Sequence, residues 1–141
     1  MMWPYALAVA ALLGGVGAEP VSMKFTTVGR GDRSRIEEPR TAVARTRQDW
    51  ESLWKAHAIA GKPPAVDLSK SMVLAVFLGT RPTAGYSVEI IAIEEQATGL
   101  VVTYRESAPP ADAMVAQMLT TPFHIVRTES RTSAVTFKRV K

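Results

Sequence analysis

The chain of 141 residues contains no cysteine and no asparagine. The absence of cysteine excludes disulfide bonds, a thiol nucleophile, a zinc site built on thiolates and a lipid-modified N-terminal cysteine. The absence of asparagine excludes N-linked glycosylation. An exported form of this protein would therefore depend on packing alone, without covalent cross-links, to hold its core together.

Histidine is also scarce, with only His57 and His124 present. A metal site needs several His, Asp, Glu or Cys ligands that converge on one point. Neither histidine has a second ligand at the spacing of a helix or a hairpin. We therefore predict no metal site and no cofactor.

The usual catalytic motifs are missing as well. No serine lies in a nucleophile elbow, and the glycine-containing segment after residue 78 has no lysine and joins two apolar runs, unlike a phosphate-binding loop. Ser87, His124 and Asp67 remain as a conceivable hydrolase set, although Asp67 is also placed to cap a turn before Ser69. We interpret the chain as a non-enzyme and keep a hydrolase as the alternative, which loss of an activity in His124→Ala would support.

The longest apolar run lies at the N-terminus, over residues 3–16, and small residues follow it at positions 16–18. This pattern is typical of an export signal that is cleaved after Ala18. The run is shorter than the roughly 20 residues that a membrane-spanning helix needs. No lysine or arginine precedes it, so a membrane anchor is the alternative. We predict a signal peptide at residues 1–18, a single globular domain at residues 19–141, and a soluble periplasmic or secreted protein.

Positive charge is in modest excess, with a formal net charge of +4 at pH 7. Such an excess favours contact with anionic surfaces, so an envelope polyanion is one class of partner to consider. Binding that collapses on addition of salt would support that class. No basic stripe interleaved with aromatic residues is present, and we predict no nucleic-acid partner.

Two apolar runs flank a short loop in the middle of the chain. Residues 72–78 contain no polar side chain, which is typical of a strand buried on both faces. The second run predicts a half-buried strand whose inner face carries Tyr86, Val88, Ile90 and Ala92. We expect the loop between them to close a hairpin and to be rigid, because Pro82 fixes its own φ while Gly79 and Gly85 permit a left-handed backbone. Rigid loops of this kind often carry binding residues.

The rest of the chain predicts an α+β fold, mainly antiparallel β, in the form of a small two-layer sheet or sandwich. One amphipathic helix is expected at about residues 46–60, capped by Thr46, with an inner face of Trp50, Leu53, Trp54, His57 and Ala58. Residues 107–121 form a long connection, with a short helix expected at 111–119. Further strands are predicted at 21–28, at 35–45 as a sheet edge weakened by Pro39, at 100–106, and as a closing hairpin at 123–128 and 134–140.

The central octapeptide Gly79-Thr80-Arg81-Pro82-Thr83-Ala84-Gly85-Tyr86, with Trp50 and Trp54 before it and Thr121-Pro122-Phe123-His124 after it, resembles the PrcB-type protease complex subunit family. The resemblance covers residues 50–141. It implies association with an extracytoplasmic protease or protease complex, as an accessory or maturation subunit. That family tends to have glycine where this chain has Ala84, and we expect that this position does not require a positive φ.

The same loop is similar, over six residues, to the Asn-Pro-Thr-Thr-Gly-Tyr loop that chagasin-type inhibitors insert into a protease cleft. Pro82-Thr83, Gly85 and Tyr86 match that loop, whereas Arg81 and Ala84 do not. Two alternatives to a docking role remain: direct inhibition by loop insertion, and a tight connection in which Thr83 bonds its own backbone and Tyr86 starts the next strand. We predict that the partner-binding residues are Arg81, Pro82, Thr83, Ala84, Gly85 and Tyr86.

Overall fold

The computed structural model describes residues 19–141, so the predicted signal peptide at residues 1–18 lies outside the described part of the chain. None of the helices in residues 19–141 has the length and apolar character needed to cross a membrane. The elements, in chain order, are β1 Val21–Ser22, β2 Phe25–Gly31, β3 Arg40–Ala44, α1 Arg47–His57, β4 Ser71–Phe77, β5 Ser87–Gln96, β6 Gly99–Ser107, β7 Phe123–Glu129 and β8 Val135–Val140.

The strands form two four-stranded sheets, which we call sheet 1 (β1-β5-β6-β8) and sheet 2 (β2-β7-β4-β3). All neighbouring strands are antiparallel except β6 and β8, which are parallel. The apolar faces of the two sheets meet, and the core between them is built from Met72, Leu74, Val76, Leu78, Val88, Ile90, Ile93, Leu100, Val102 and Val126. The predicted α+β sandwich with one helix is confirmed.

Strand β4 is buried on both faces, as its unbroken apolar sequence predicts. Its even-numbered residues, from Met72 to Val76, lie in the core between the sheets. Its odd-numbered residues, from Val73 to Phe77, lie in a second core on the outer face of sheet 2. Side chains alternate across a strand, so one strand supplies both cores.

Helix α1 covers the outer face of sheet 2. Thr46 caps it by accepting a hydrogen bond from the backbone N–H of Asp49 at 3.1 Å, as predicted. Trp50 and Leu53 are buried against the odd-numbered face of β4. The indole of Trp50 also donates to the carbonyl of Pro64 at 3.0 Å, which fixes the chain that leads from the helix into β4.

Both predicted hairpins are wrong, because the two strands of each belong to different sheets. β4 lies in sheet 2 and β5 in sheet 1, so the loop at residues 79–86 crosses between the sheets. β7 lies between β2 and β4 in sheet 2, whereas β8 pairs with β6 at the edge of sheet 1. Each sheet needs the apolar face of the other, and short connections between strands of facing sheets satisfy this packing as well as a hairpin does.

Three further expectations need correction. The strand predicted at 21–28 is divided between the sheets, because the chain crosses over after Ser22. A β-bulge between Ile90 and Ala92 shifts β5 by one residue, so Ile93 rather than Ala92 is buried. The short helix expected at 111–119 is not formed; those residues are irregular, and the carbonyl of Ala116 accepts from Ala84 in the loop at residues 79–86.

Candidate functional site

The loop at residues 79–86 turns on two glycines in the left-handed region. Gly79 has φ +80° and Gly85 has φ +94°. A Cβ atom on Gly79 would lie 2.8 Å from the backbone nitrogen of Pro39, so only glycine fits there. Ala84 has no positive φ, since no residue other than glycine in the described chain has one, and this confirms that its backbone does not need glycine.

A second loop, residues 108–122, runs beside the first and is bonded to it. The backbone of Arg81 both donates to and accepts from Thr120, at 2.7 and 3.0 Å. Ala84 donates to the carbonyl of Ala116 at 3.0 Å, and the hydroxyl of Thr120 donates to the carbonyl of Thr83 at 2.9 Å. We call residues 79–86 and 108–122 the loop pair; it forms one backbone-bonded unit at the end of the sandwich.

The side chain of Arg81 is bound within the protein. Its guanidinium donates two hydrogen bonds to the carboxylate of Glu106, at 2.7 and 3.0 Å, in a fork geometry. It also donates to the carbonyl of Leu78 at 3.0 Å. Arg81 therefore connects the loop to strand β6 and to its own strand end, and its donors are directed into the protein.

Glu106 is the anchor of this connection. Its side chain is only 8% exposed, and it also accepts a bond from Arg139 at 2.9 Å. The hydrogen bonds from Arg81 hold the pKa of Glu106 below its usual range, although burial acts in the opposite direction. The hydrogen bonds to Glu106 in turn raise the pKa of Arg81. One buried carboxylate thus holds arginines from a loop and from the edge strand β8.

The remaining predicted binding residues divide into exposed and inward-facing positions. Pro82 and Gly85 are exposed, whereas Thr83, Ala84 and Tyr86 are half-buried. The hydroxyl of Thr83 bonds to the carbonyl of the next residue at 2.9 Å, as the tight-connection alternative expects. Backbone and side-chain contacts of these residues therefore build the shape of the loop, and the second loop supplies most of the exposed surface.

Exposed apolar side chains are concentrated on that second loop. Met114 is fully exposed, Leu119 is 70% exposed and Met118 is 38% exposed. Only two other large apolar residues in the described chain, Val21 and Ile59, are exposed. The long connection at residues 107–121 therefore carries these apolar side chains on its outer surface while its backbone bonds to residues 79–86.

The conceivable hydrolase set is not assembled. His124 is buried between the sheets, where its Nδ1 accepts from the backbone N–H of Ile90 at 2.8 Å and its Nε2 lies 2.9 Å from the hydroxyl of Thr27. Both ring nitrogens are therefore occupied by partners other than Ser87. Asp67 instead accepts from the backbone and hydroxyl of Ser69, as the turn-capping expectation predicts. Residues 19–141 also hold no group of three His, Asp or Glu side chains placed to bind a metal ion.

Sequence reasoning missed Glu106 and Thr120. A signal for Glu106 was present, because it continues the inward-facing alternation of Leu100, Val102 and Tyr104. A carboxylate on the apolar face of a strand requires a buried partner, which here is Arg81. Thr120 has no comparable local signal, since its partners are 37 and 39 residues away in sequence.

Comparison with known protein families gives a match to part of the chain. Residues 72–129 match the family model described as PrcB C-terminal. No curated protein and no solved structure matches the chain. The matched region is narrower than the predicted 50–141, but it runs from the second residue of β4 to the end of β7 and contains the whole loop pair. Residues 72–129 are thus similar to the PrcB C-terminal family, which confirms the predicted resemblance.

Proposed function

We propose that the chain is an exported, non-catalytic binding module that acts as an accessory subunit of an extracytoplasmic protease and docks through the loop pair. The PrcB C-terminal match supports the protease association, because it includes both loops and the strands that hold them. The apolar N-terminal run supports export, with the mature chain beginning at Glu19. No cofactor takes part in this proposal.

The observation that carries the proposal is the clustering of exposed apolar side chains on a preorganised backbone. Three of the five exposed large apolar residues in residues 19–141 lie on one loop, at positions 114, 118 and 119. Exposed apolar groups that cluster in this way mark interaction sites on soluble proteins. The hydrogen bonds between the loops order the backbone in advance, so little conformational entropy remains to be lost on docking.

This geometry favours surface docking over insertion into a cleft. The Arg81–Tyr86 segment crosses between sheets and is bonded along its length to the second loop, so it does not project as a hairpin tip. Arg81 acts in this proposal by fixing the loop through Glu106, and Pro82 together with Met114 and Leu119 supplies the contact surface.

The test is a capture experiment with tagged protein and an envelope extract of the source organism. The double variant Met114→Ser/Leu119→Ser removes exposed side chains that make no core contact. We expect it to retain roughly tenfold less of a protease than the unchanged chain does, since a tenfold change corresponds to about 1.4 kcal/mol, the size of loss expected when one dominant apolar contact at an interface is removed. Retained proteins are identified by mass spectrometry.

The matched control is Ile59→Ser, which removes an equally exposed apolar side chain (86%) from the segment after α1. It should retain the protease as the unchanged chain does. Equal retention by all three proteins would overturn the loop pair as the docking surface. A retained set without any protease would overturn the protease association itself.

A further inference from the structure

A second surface lies at the far end of sheet 2 from the loop pair. Strand β4 runs from Ser71 toward the loop at 79–86, and the antiparallel β7 runs away from it and ends at Glu129. The beginning of β4, the end of β7 and the beginning of β2 border an open groove of about 640 Å³. Its lining residues are Lys24, Phe25, Thr26, Lys70, Ser71, Arg127, Thr128 and Glu129.

Strand register places Arg127 in the middle of this groove. In sheet 2 it lies between Thr26 of β2 and Val73 of β4. Its neighbours Val126 and Thr128 are buried toward sheet 1, so Arg127 projects from the opposite, outer face. Helix α1 covers that outer face near β3, and Arg127 remains exposed.

The groove carries three cations that no ion pair neutralises. Within residues 19–141, no carboxylate oxygen lies within 4.0 Å of the charged nitrogens of Lys24, Lys70 or Arg127. The acidic lining residue, Glu129, is paired with Arg131 at 2.6 Å. The groove therefore has three cationic lining residues and one acidic one, and Lys70 attracts Asp67 only at a distance longer than an ion pair.

The backbone beside these cations is fixed by β7. The hydroxyl of Thr128 donates to the carbonyl of Lys24 at 2.7 Å, and the N–H of Ser130 donates to the carbonyl of Lys70 at 2.9 Å. Both lysines are thus held at the rim, on either side of Arg127, while the hydroxyls of Thr26 and Ser71 line the groove as further donors. Guanidinium, ammonium and hydroxyl donors that converge in this way match the acceptor oxygens of a phosphate or sulfate group.

We propose that this groove binds phosphate-class or sulfate-class oxyanions of an anionic ligand, with Arg127 as the central contact and Lys24 and Lys70 at the rim. The proposal does not depend on the protease association, because the groove and the loop pair lie at opposite ends of sheet 2. The ligand chemistry has two sources, a soluble polyanion or the headgroups of an anionic membrane, and the experiment separates them.

The experiment titrates the isotope-labelled chain from Glu19 onward with sodium tripolyphosphate and follows the backbone amide resonances. We expect saturable shifts confined to residues 24–26, 70–71 and 127–129. The variant Lys70→Gln/Arg127→Gln should bind roughly tenfold more weakly or not at all, since bonds to charged groups contribute strongly to binding. A parallel arm measures co-sedimentation of each protein with vesicles of phosphatidylglycerol, and binding there alone would assign the ligand to the membrane.

The matched control is Lys55→Gln/Lys62→Gln, which removes the same charge from exposed positions beside α1. It should bind as the unchanged chain does. Equal weakening by both double variants would overturn the site in favour of a general effect of net charge. Shifts spread over the surface, or the absence of binding to both probes, would also overturn it. Thermal melts establish that the variants remain folded.

Discussion

At the scale of single residues, the surroundings of a glycine decide how much stability is lost when it is replaced by alanine. Gly79 and Gly61 have similar positive φ angles, +80° and +95°. A Cβ on Gly79 would meet backbone atoms of Glu37 and Pro39 at 2.8 to 2.9 Å, whereas a Cβ on Gly61 would meet nothing within 4 Å. Alanine at position 61 would therefore add backbone strain alone, whereas alanine at position 79 would add steric overlap as well.

We expect Gly79→Ala to lower the free energy of unfolding by about 3 kcal/mol, because about 1 kcal/mol of backbone strain is added to overlap with fixed backbone atoms. Gly61→Ala should lower it by about 1 kcal/mol, from strain alone. Urea unfolding followed by circular dichroism measures both. Equal losses in the two variants would show that the contact with the Pro39 segment does not constrain the loop.

Capping and turn patterns in the sequence correctly predicted the roles of residues whose partners lie close to them in the chain. Thr46 at the helix start, Asp67 before Ser69 and the backbone of Ala84 depend on neighbours within three positions, and each has the predicted role. Arg81 was predicted as a partner-binding residue, and its carboxylate partner within the protein, Glu106, lies 25 residues away in sequence. Spacing along the chain contains no information about such a pair until the sheets are assembled.

At the scale of elements, β6 holds the loop pair through Glu106. We expect Glu106→Gln to lower the free energy of unfolding by about 2 to 3 kcal/mol, since it leaves the partly buried Arg81 without its charged acceptor. Residues 79–86 and 116–120 should also exchange their amide hydrogens faster, because Arg81 connects the loop to the strand. Hydrogen exchange followed by mass spectrometry measures this local effect.

Glu89→Gln is the matched control for that variant, because it removes a carboxylate whose nearest ion-pair contact, with Arg30, is 3.9 Å long and whose side chain is 51% exposed. It should change stability by less than about 0.5 kcal/mol. Unchanged exchange in the loop pair of Glu106→Gln would contradict the anchoring role of that carboxylate.

Alternation and apolar runs located most strands but could not assign their partners. β4, β6 and α1 occur close to their predicted bounds, because each pattern reflects burial of the element itself. The predictions of two hairpins were wrong, because a short connection can join adjacent strands of one sheet or facing strands of two sheets equally well. The apolar spacing at 111–119 suggested a helix, but that segment bonds to a distant loop instead.

At the scale of the whole molecule, His124 connects the two sheets. It stands on β7 of sheet 2 and accepts a hydrogen bond from Ile90 on β5 of sheet 1. A nitrogen that accepts cannot carry a proton, so the imidazole is neutral and its other nitrogen donates to Thr27. Burial, together with the nearby Arg30, lowers its pKa from 6.5 to about 4, and Glu89 opposes this weakly. Packing between the two sheets thus fixes the orientation of this residue.

This pKa makes the stability of the sandwich depend on pH. Between pH 7 and pH 5 the unfolded chain takes up a proton at His124 and the folded chain does not, so the free energy of unfolding should fall by about 2 kcal/mol from this residue. The pKa of His57 is lowered in the same direction by burial, so it adds to the fall. His124→Gln should retain only the smaller pH dependence of stability that belongs to His57.

Urea unfolding at several pH values measures how the free energy of unfolding changes with pH, and the proton resonances of the His124 ring report its pKa in the folded protein directly. A ring that titrates near pH 6.5 in the folded state would contradict the bond to Ile90, and with it the role of His124 as a neutral connection between the sheets.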